Sequence, residues 1–310
     1  MADLYAIYHE QGLTGLVPHS LNEHSHGYHI MVDKIKAGAP LFCIRTQMNT
    51  PHILVKDGVY QAMFYTSEEL AEQQQEELLA GGYRPEIEVL PDGPARNEAF
   101  LWLFDHGPTA ILIDDSLSIP IRTLATDLPD YDGRPNEEHM LRNRALNGAT
   151  FYFLQQAAAG YGNMEAERQW AREMLQGEVI IATHNDARQN YPAYTTRVGD
   201  KDAVLIYTDW RQVGEDFDTL PAGLIATYGD LYELLTQNPN AVLLLNRPTC
   251  HMVIDLTMLD TIKTTAESRG GQGGISSFGL GCGVKKNGFT FGQVSEDEWD
   301  KIDPTPDFLK

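Results

Sequence analysis

Apolar residues recur along the first third of the chain with two periods. Tyr28, Met31, Val32 and Ile35 follow the i, i+3, i+4, i+7 spacing of a helix with one buried face, and Gly38 marks its end. LFCIRT from Leu41 reads as a strand. HILVK from His52 and VYQAMF from Val59 then read as the arms of a hairpin around Asp57-Gly58, a pair that accepts the positive φ of a tight turn. Thr66 is placed to cap a following helix, with Glu69 completing a Thr-x-x-Glu capping box. A short strand (EIEVL from Glu86), a short helix (NEAFLWLF from Asn97), an apolar strand (AILI from Ala110) and a closing strand (SIPIRTL from Ser118) follow.

The same succession occurs again. Trp170, Ala171 and Met174 take the places of the first helix stripe, and Gly177 falls on Gly38. VIIAT from Val179 repeats the first strand, and Tyr207-Thr208 falls on Tyr65-Thr66. GLIATY from Gly223, GDLYELL from Gly229, AVLLL from Ala241 and HMVIDL from His251 repeat the later elements, with Pro239 on Pro108. Matches in the same order, separated by changes in loop length, indicate one unit copied and diverged. Helices and strands alternate without a regular βαβ rhythm. The expected fold is therefore α/β (α+β): two tandem units with mixed sheets flanked by helices. The units are expected over 1–129 and 146–264, with a Pro-, Gly- and Asp-rich linker over 130–145 and a glycine-rich, then acidic, tail over 265–310.

Phe64-Tyr65-Thr66-Ser67-Glu68-Glu69 and Ile206-Tyr207-Thr208-Asp209 each run a strand through an aromatic-Thr-Ser/Asp step into a helix start. Leu244-Leu245-Asn246-Arg247-Pro248 ends a late apolar strand near an Asn-Pro turn, with an arginine inserted before the proline; in the first copy Asp114-Asp115-Ser116 replaces that turn. In these features the chain resembles the SseB protein N-terminal domain family, over roughly residues 1–260 as two copies. The resemblance implies a bacterial α/β protein without established catalytic residues.

Composition narrows the field. The 310 residues include 23 Lys and Arg against 44 Asp and Glu, a net charge of −21 and a pI near 4.7. Such a balance repels phosphate backbones and anionic lipid, so neither nucleic acid nor membrane is an expected partner. Hydrophobic residues, at 42%, suffice for packed cores. No apolar run reaches the length of a membrane span, and MADLYAIYHEQ lacks the basic flank and apolar region of a signal peptide. Three cysteines (Cys43, Cys250, Cys282) do not make a disulfide framework, which fits a cytoplasmic protein.

Few residues suggest chemistry. His19, His24, His26 and His29 lie close together with Asp33, but on a helix His24 falls on the core side, away from His26 and His29, so the set converges on a metal only as a loop. Cys282 stands near Lys285 and Lys286, and a base for it has to come from the folded units, for instance His184 or His251. The glycines from Gly270 to Gly283 have neither a G-x-G-x-x-G register nor a following Gly-Lys-Ser/Thr. No His-Glu-x-x-His, Gly-x-Ser-x-Gly or Cys-x-x-Cys occurs. No cofactor is expected. Polar exits from equivalent strands, Arg45 and Gln47 in the first copy and His184, Asn185 and Asp186 in the second, are the expected binding positions. The reading that follows is a non-catalytic protein-interaction or regulatory module with a protein partner. A small-ligand-binding protein with a cleft between the copies, and a metal- or thiol-dependent enzyme, are the alternatives.

Overall fold

The computed structural model describes residues 26–46, 50–56, 58–128, 140–160, 162–184 and 192–267. The chain divides into two compact units. One takes in residues up to 130 together with Thr150–Gly160, the other residues 131–149 and those from 161 onward.

The first unit contains α1 (His26–Lys36), β1 (Phe42–Arg45), β2 (Ile53–Lys56), β3 (Val59–Tyr65), α2 (Glu68–Ala80), β4 (Glu86–Val89), α3 (Pro94–Asp105), β5 (Ala110–Ile113), β6 (Leu117–Pro120) and the short α4 (Ile121–Leu124). Its strands lie in the order β4-β1-β3-β5-β6, with β2 also on β3. Only the β3–β5 pair is parallel. Next comes α5 (Arg144–Ala158), whose residues through Ala149 cluster with the second unit and those from Thr150 with the first. The second unit continues with α6 (Met164–Gln176), β7 (Glu178–Thr183), β8 (Thr195–Val198), β9 (Lys201–Tyr207), α7 (Trp210–Asp216), β10 (Ala222–Thr227), α8 (Tyr228–Gln237), β11 (Ala241–Leu245), β12 (Met252–Ile254) and α9 (Leu256–Glu267). Its order is β10-β7-β9-β11-β12, with β8 on β9, and only β9–β11 is parallel. Element for element and pair for pair, the two topologies coincide. The fold is thus two similar units, each a mixed sheet flanked by helices.

Alternation along the strands divides the first core between the two faces of its sheet. Cys43, Ala62, Phe64, Ile111 and Ile113 face α1 and α3, where Met31, Val32, Ile35, Phe100 and Phe104 meet them. Ile44, Met63, Tyr65 and Leu112 face the other way, against Ala71 and Leu78 of α2. The central β5 is buried throughout and reads as continuous apolar sequence. In the second unit Trp170, Ala171 and Met174 are buried on α6, as the helix stripe requires. Ile180, Ala182, Leu205, Tyr207 and Leu244 form a cluster with Val213 of α7. Arg96 finishes α1: its guanidinium is buried and donates to the carbonyls of Ile35 (2.6 Å) and Ala39 (2.8 Å), to those of Pro91 and Leu90, and to Asp92.

Some elements differ from expectation, each for a physical reason. The caps of α2 and α7 are Ser67 and Asp209, whose side chains accept from the amides of Leu70 and Gln212; Thr66 and Thr208 are engaged elsewhere. Phe64 lies opposite Ile113 and Ile206 opposite Leu245, one residue later than the Pro108–Pro239 match implies. The segments read as closing strands are strands over β6 and β12, but shorter than expected: from Ile121 and Leu256 the chain runs on as helices, α4 and α9. Among the described residues no helix is long and apolar enough to cross a membrane.

Candidate functional site

Where parallel strands end, side chains from different elements converge, and in open α/β sheets this is the usual place for a ligand. Here the carboxyl ends of β3 and β5 bring Thr66 to Asp114. The Thr66 amide donates to Asp114 Oδ1 (3.0 Å) and its hydroxyl to Oδ2 (2.7 Å). The carboxyl ends of β9 and β11 build the same clasp from Thr208 and Asn246: the Thr208 amide donates to Asn246 Oδ1 (2.9 Å), and Asn246 Nδ2 donates to Thr208 Oγ1 (3.0 Å) and to Asn147 Oδ1 (3.1 Å). Asp114 (φ 44°) and Asn246 (φ 48°) both lie in the left-handed region, which Asp and Asn tolerate better than most residues.

Beyond the second clasp sits a part-buried charge pair. Arg247 Nε donates to both Asp216 oxygens at 2.8 and 2.9 Å, and the Tyr207 hydroxyl donates to the same carboxylate. Burial, with Asp216 alongside, pushes the Tyr207 phenol far up, so it stays a donor. His251 (φ 51°) contacts the Arg247 carbonyl through Nδ1, and burial lowers its pKa. Thr249 donates to Gln212 Oε1 at 2.7 Å, tying this turn to α7. These polar groups bind the loop after β11 to the start and end of α7.

The strand exits singled out in the sequence lie elsewhere. β1 and β7 run antiparallel to β3 and β9, so Arg45 and His184 emerge at the opposite end of each sheet from the clasps. Arg45 pairs with Glu88 on the neighbouring strand. His184 stacks on Tyr194 with ring centroids 3.6 Å apart, and Tyr194 packs edge-on against Phe217. Gln47, Asn185 and Asp186 lie outside the described residues, as do His19, His24 and Cys282. Of the histidine group His29 is described: it is exposed on α1 and its ring meets Tyr28 edge-on, while His26 opens that helix. Among the described residues no three His, Cys, Asp or Glu side chains are grouped to hold a metal. Cys43 and Cys250 are buried, and burial pushes both thiols up to about 12, which keeps them protonated.

The units part company at the strand that ends each sheet. Register through the central strands makes β4 equivalent to β10: Phe42 pairs with Tyr65 and Val89, as Ile180 pairs with Tyr207 and Ile225. Glu88 of β4 therefore corresponds to Leu224 of β10, Glu86 to Ala222, and Arg45 of β1 to Thr183 of β7. In the first unit the edge carries two carboxylates and an ion pair to its neighbour. In the second, the equivalent edge is six uncharged residues long, with Leu224 49% exposed and Leu220, just before it, 52% exposed. Gly223 on this strand gives room for the Trp210 ring; a Cβ there would lie 2.7 Å from it. Among the described residues β10 has one neighbour, β7. A groove of about 360 Å³ opens at its far end, with Leu141, Leu175, Glu178 and Thr227 on its walls.

No protein-family model, curated protein or solved structure matches this chain. The edge residues escape a reading of the sequence because strand order is a long-range property. Their signal lies in the repeat itself, as a charged EIEV standing where the other copy has AGLIAT.

Proposed function

We propose that this chain is an SseB-like, non-catalytic protein-interaction module, and that the edge of β10 is its recognition surface, taking up an extended segment of a protein partner. One observation carries the reading: two copies of one fold differ at the same edge, which is charged in the first, around a half-exposed Val89, and uncharged in the second. An unpaired edge invites any passing strand, and proteins blunt it with charge. The first unit does so with Glu86, Glu88 and Arg45. The second has Ala222, Leu224 and Thr183 at those positions and leaves an uncharged edge, which ends at Thr227, the cap of α8 bonded to Asp230. A strand added there gains main-chain hydrogen bonds along β10 and a side-chain contact with Leu224. The strand-end chemistry supports a non-catalytic role, because Thr66, Asp114, Thr208, Asn246, Asp216 and Arg247 serve to hold backbone segments together.

The test joins capture to hydrogen exchange. A partner held by the full chain should slow exchange of the amides over 222–227 and should be lost with Leu224→Lys, a substitution at a half-exposed site that restores a charged edge. Capture indifferent to Leu224→Lys, with exchange over 222–227 unchanged, would overturn the reading.

A further inference from the structure

The interaction reading leaves open which segments fit, and the charges around β10 answer this. From Gln212 to Asn246 the chain has no Lys or Arg, while Glu215, Asp216, Asp218, Asp230 and Glu233 all fall in that stretch. Asp216 is neutralised by Arg247, and Glu215 meets Arg211 at 3.5 Å. Asp218 precedes the strand and is exposed; Asp230 and Glu233 follow it and are exposed. Glu178 lies opposite Thr227 in the register, where the groove opens. The open edge thus runs between acidic ends within a chain of net charge −21.

Resting on the reading above, we infer that the occupant of β10 is an extended, basic segment of a partner protein, with apolar side chains at alternate positions and Lys or Arg between them. Alternation follows from strand pairing: one set of side chains covers Leu224, and the other points to the opposite face. Basic residues follow from complementarity with Asp218, Asp230 and Glu178, which also repels acidic competitors. The groove beside Thr227 accepts the long stem of one Lys or Arg along Leu141 and Leu175, with Glu178 at its head. The partner's gatekeeping charges, which protect it from self-pairing, then become its address on this edge.

The probe is a labelled ten-residue peptide alternating Lys and Val, titrated by anisotropy into the full chain in about 0.15 M salt. A Glu–Val peptide of the same length should bind at least about tenfold more weakly. Methylating alternate backbone nitrogens of the Lys–Val peptide should remove binding of similar size, because strand addition needs those donors whereas charge attraction alone does not. Leu224→Lys should abolish binding, and Glu178→Gln should weaken it several-fold while leaving the fold intact. Equal binding of the Glu–Val peptide, with β10 still protected from exchange, would overturn the basic partner and leave the interaction reading standing. Insensitivity to backbone methylation or to Leu224→Lys would overturn the inferred pairing itself. A wild-type chain that dimerises in sedimentation and becomes monomeric with Leu224→Lys would assign the edge to a second copy. Peptide binding that appears only after Lys285→Glu and Lys286→Glu would assign it to the chain's own C-terminal stretch. Either of these last results would also overturn the inference.

Discussion

His52 shows how a single buried ring couples this fold to pH. It sits between β1 and β2, its amide bonded to the Ile44 carbonyl, its ring edge-on to Tyr83 at 5.5 Å. Close by, Gln155 of α5 donates to Thr50 Oγ1 (3.0 Å) and the Pro51 carbonyl (2.9 Å) and accepts from the Ile53 amide. Burial lowers the His52 pKa to about 4 from an ordinary value near 6.5. The folded state therefore refuses a proton that the unfolded chain takes up between those values. Its contribution is fully present above about pH 6.5 and declines as pH falls toward 4, by roughly 3 kcal/mol at most. In urea titrations at pH 7 and pH 4.5, the loss of stability should be markedly smaller for His52→Phe than for the natural chain. An equal loss in both would show that the acid sensitivity belongs to other groups.

At the scale of elements, the clasps explain how a strand end and a helix start are locked together. Asp114 and Asn246 do one job in two settings: Asp114 is half-buried, whereas Asn246 is fully buried and also bonds Asn147. Exchange of the two residue types should therefore be unequal. Asp114→Asn keeps an acceptor for the Thr66 amide and should cost no more than about 1 kcal/mol. Asn246→Asp buries a charge beside Asp209 without its two donors, and should cost roughly 3 kcal/mol or more in chemical denaturation. Equal costs would remove the environment as the deciding factor. The clasp also marks how far a sequence can be read. Short-range features are legible: the stripe of Met31, Val32 and Ile35, its copy in Trp170, Ala171 and Met174, and the hairpin ending in Gly58, which has φ 76°. Thr66 looks like a helix cap because its sequence signal, a hydroxyl three residues before Glu69, is local. Its actual partner, Asp114, lies 48 residues away, and capping passes to Ser67. The same limit hides the edge. Matching EIEVL to GLIATY falls one residue out of the register that pairing with β1 and β7 sets, and in a strand one residue exchanges the two faces. Only the correct register sets Glu88 on Leu224 and Glu86 on Ala222, and only strand order reveals that both positions lie on a terminal strand.

For the whole molecule, the duplication supplies its own control. If the charges on β4 are what keeps the first edge unpaired, transplanting the second unit's residues onto it should open a second adhesive strand. The variant Arg45→Thr/Glu86→Ala/Glu88→Leu performs that transplant at the equivalent register positions. The side chains it removes are all partly or fully exposed, so the core of the first unit is untouched. An opened β4 on one chain can then pair with β10 on another. That contact is heterologous, so it leaves one free edge of each kind at the ends and propagates into a series of oligomers instead of stopping at a dimer. The net charge of −21 opposes association at long range but is screened over about 8 Å at 0.15 M salt, leaving the local edges to decide. In sedimentation velocity at that salt, the triple variant should show concentration-dependent species larger than the natural chain forms, and adding Leu224→Lys should reduce them to dimers at most, because only β4–β4 pairing then remains. A triple variant that sediments like the natural chain at every concentration would mean that Glu86, Glu88 and Arg45 do not guard the first edge. The contrast between β4 and β10 would then no longer single out β10 as the binding strand.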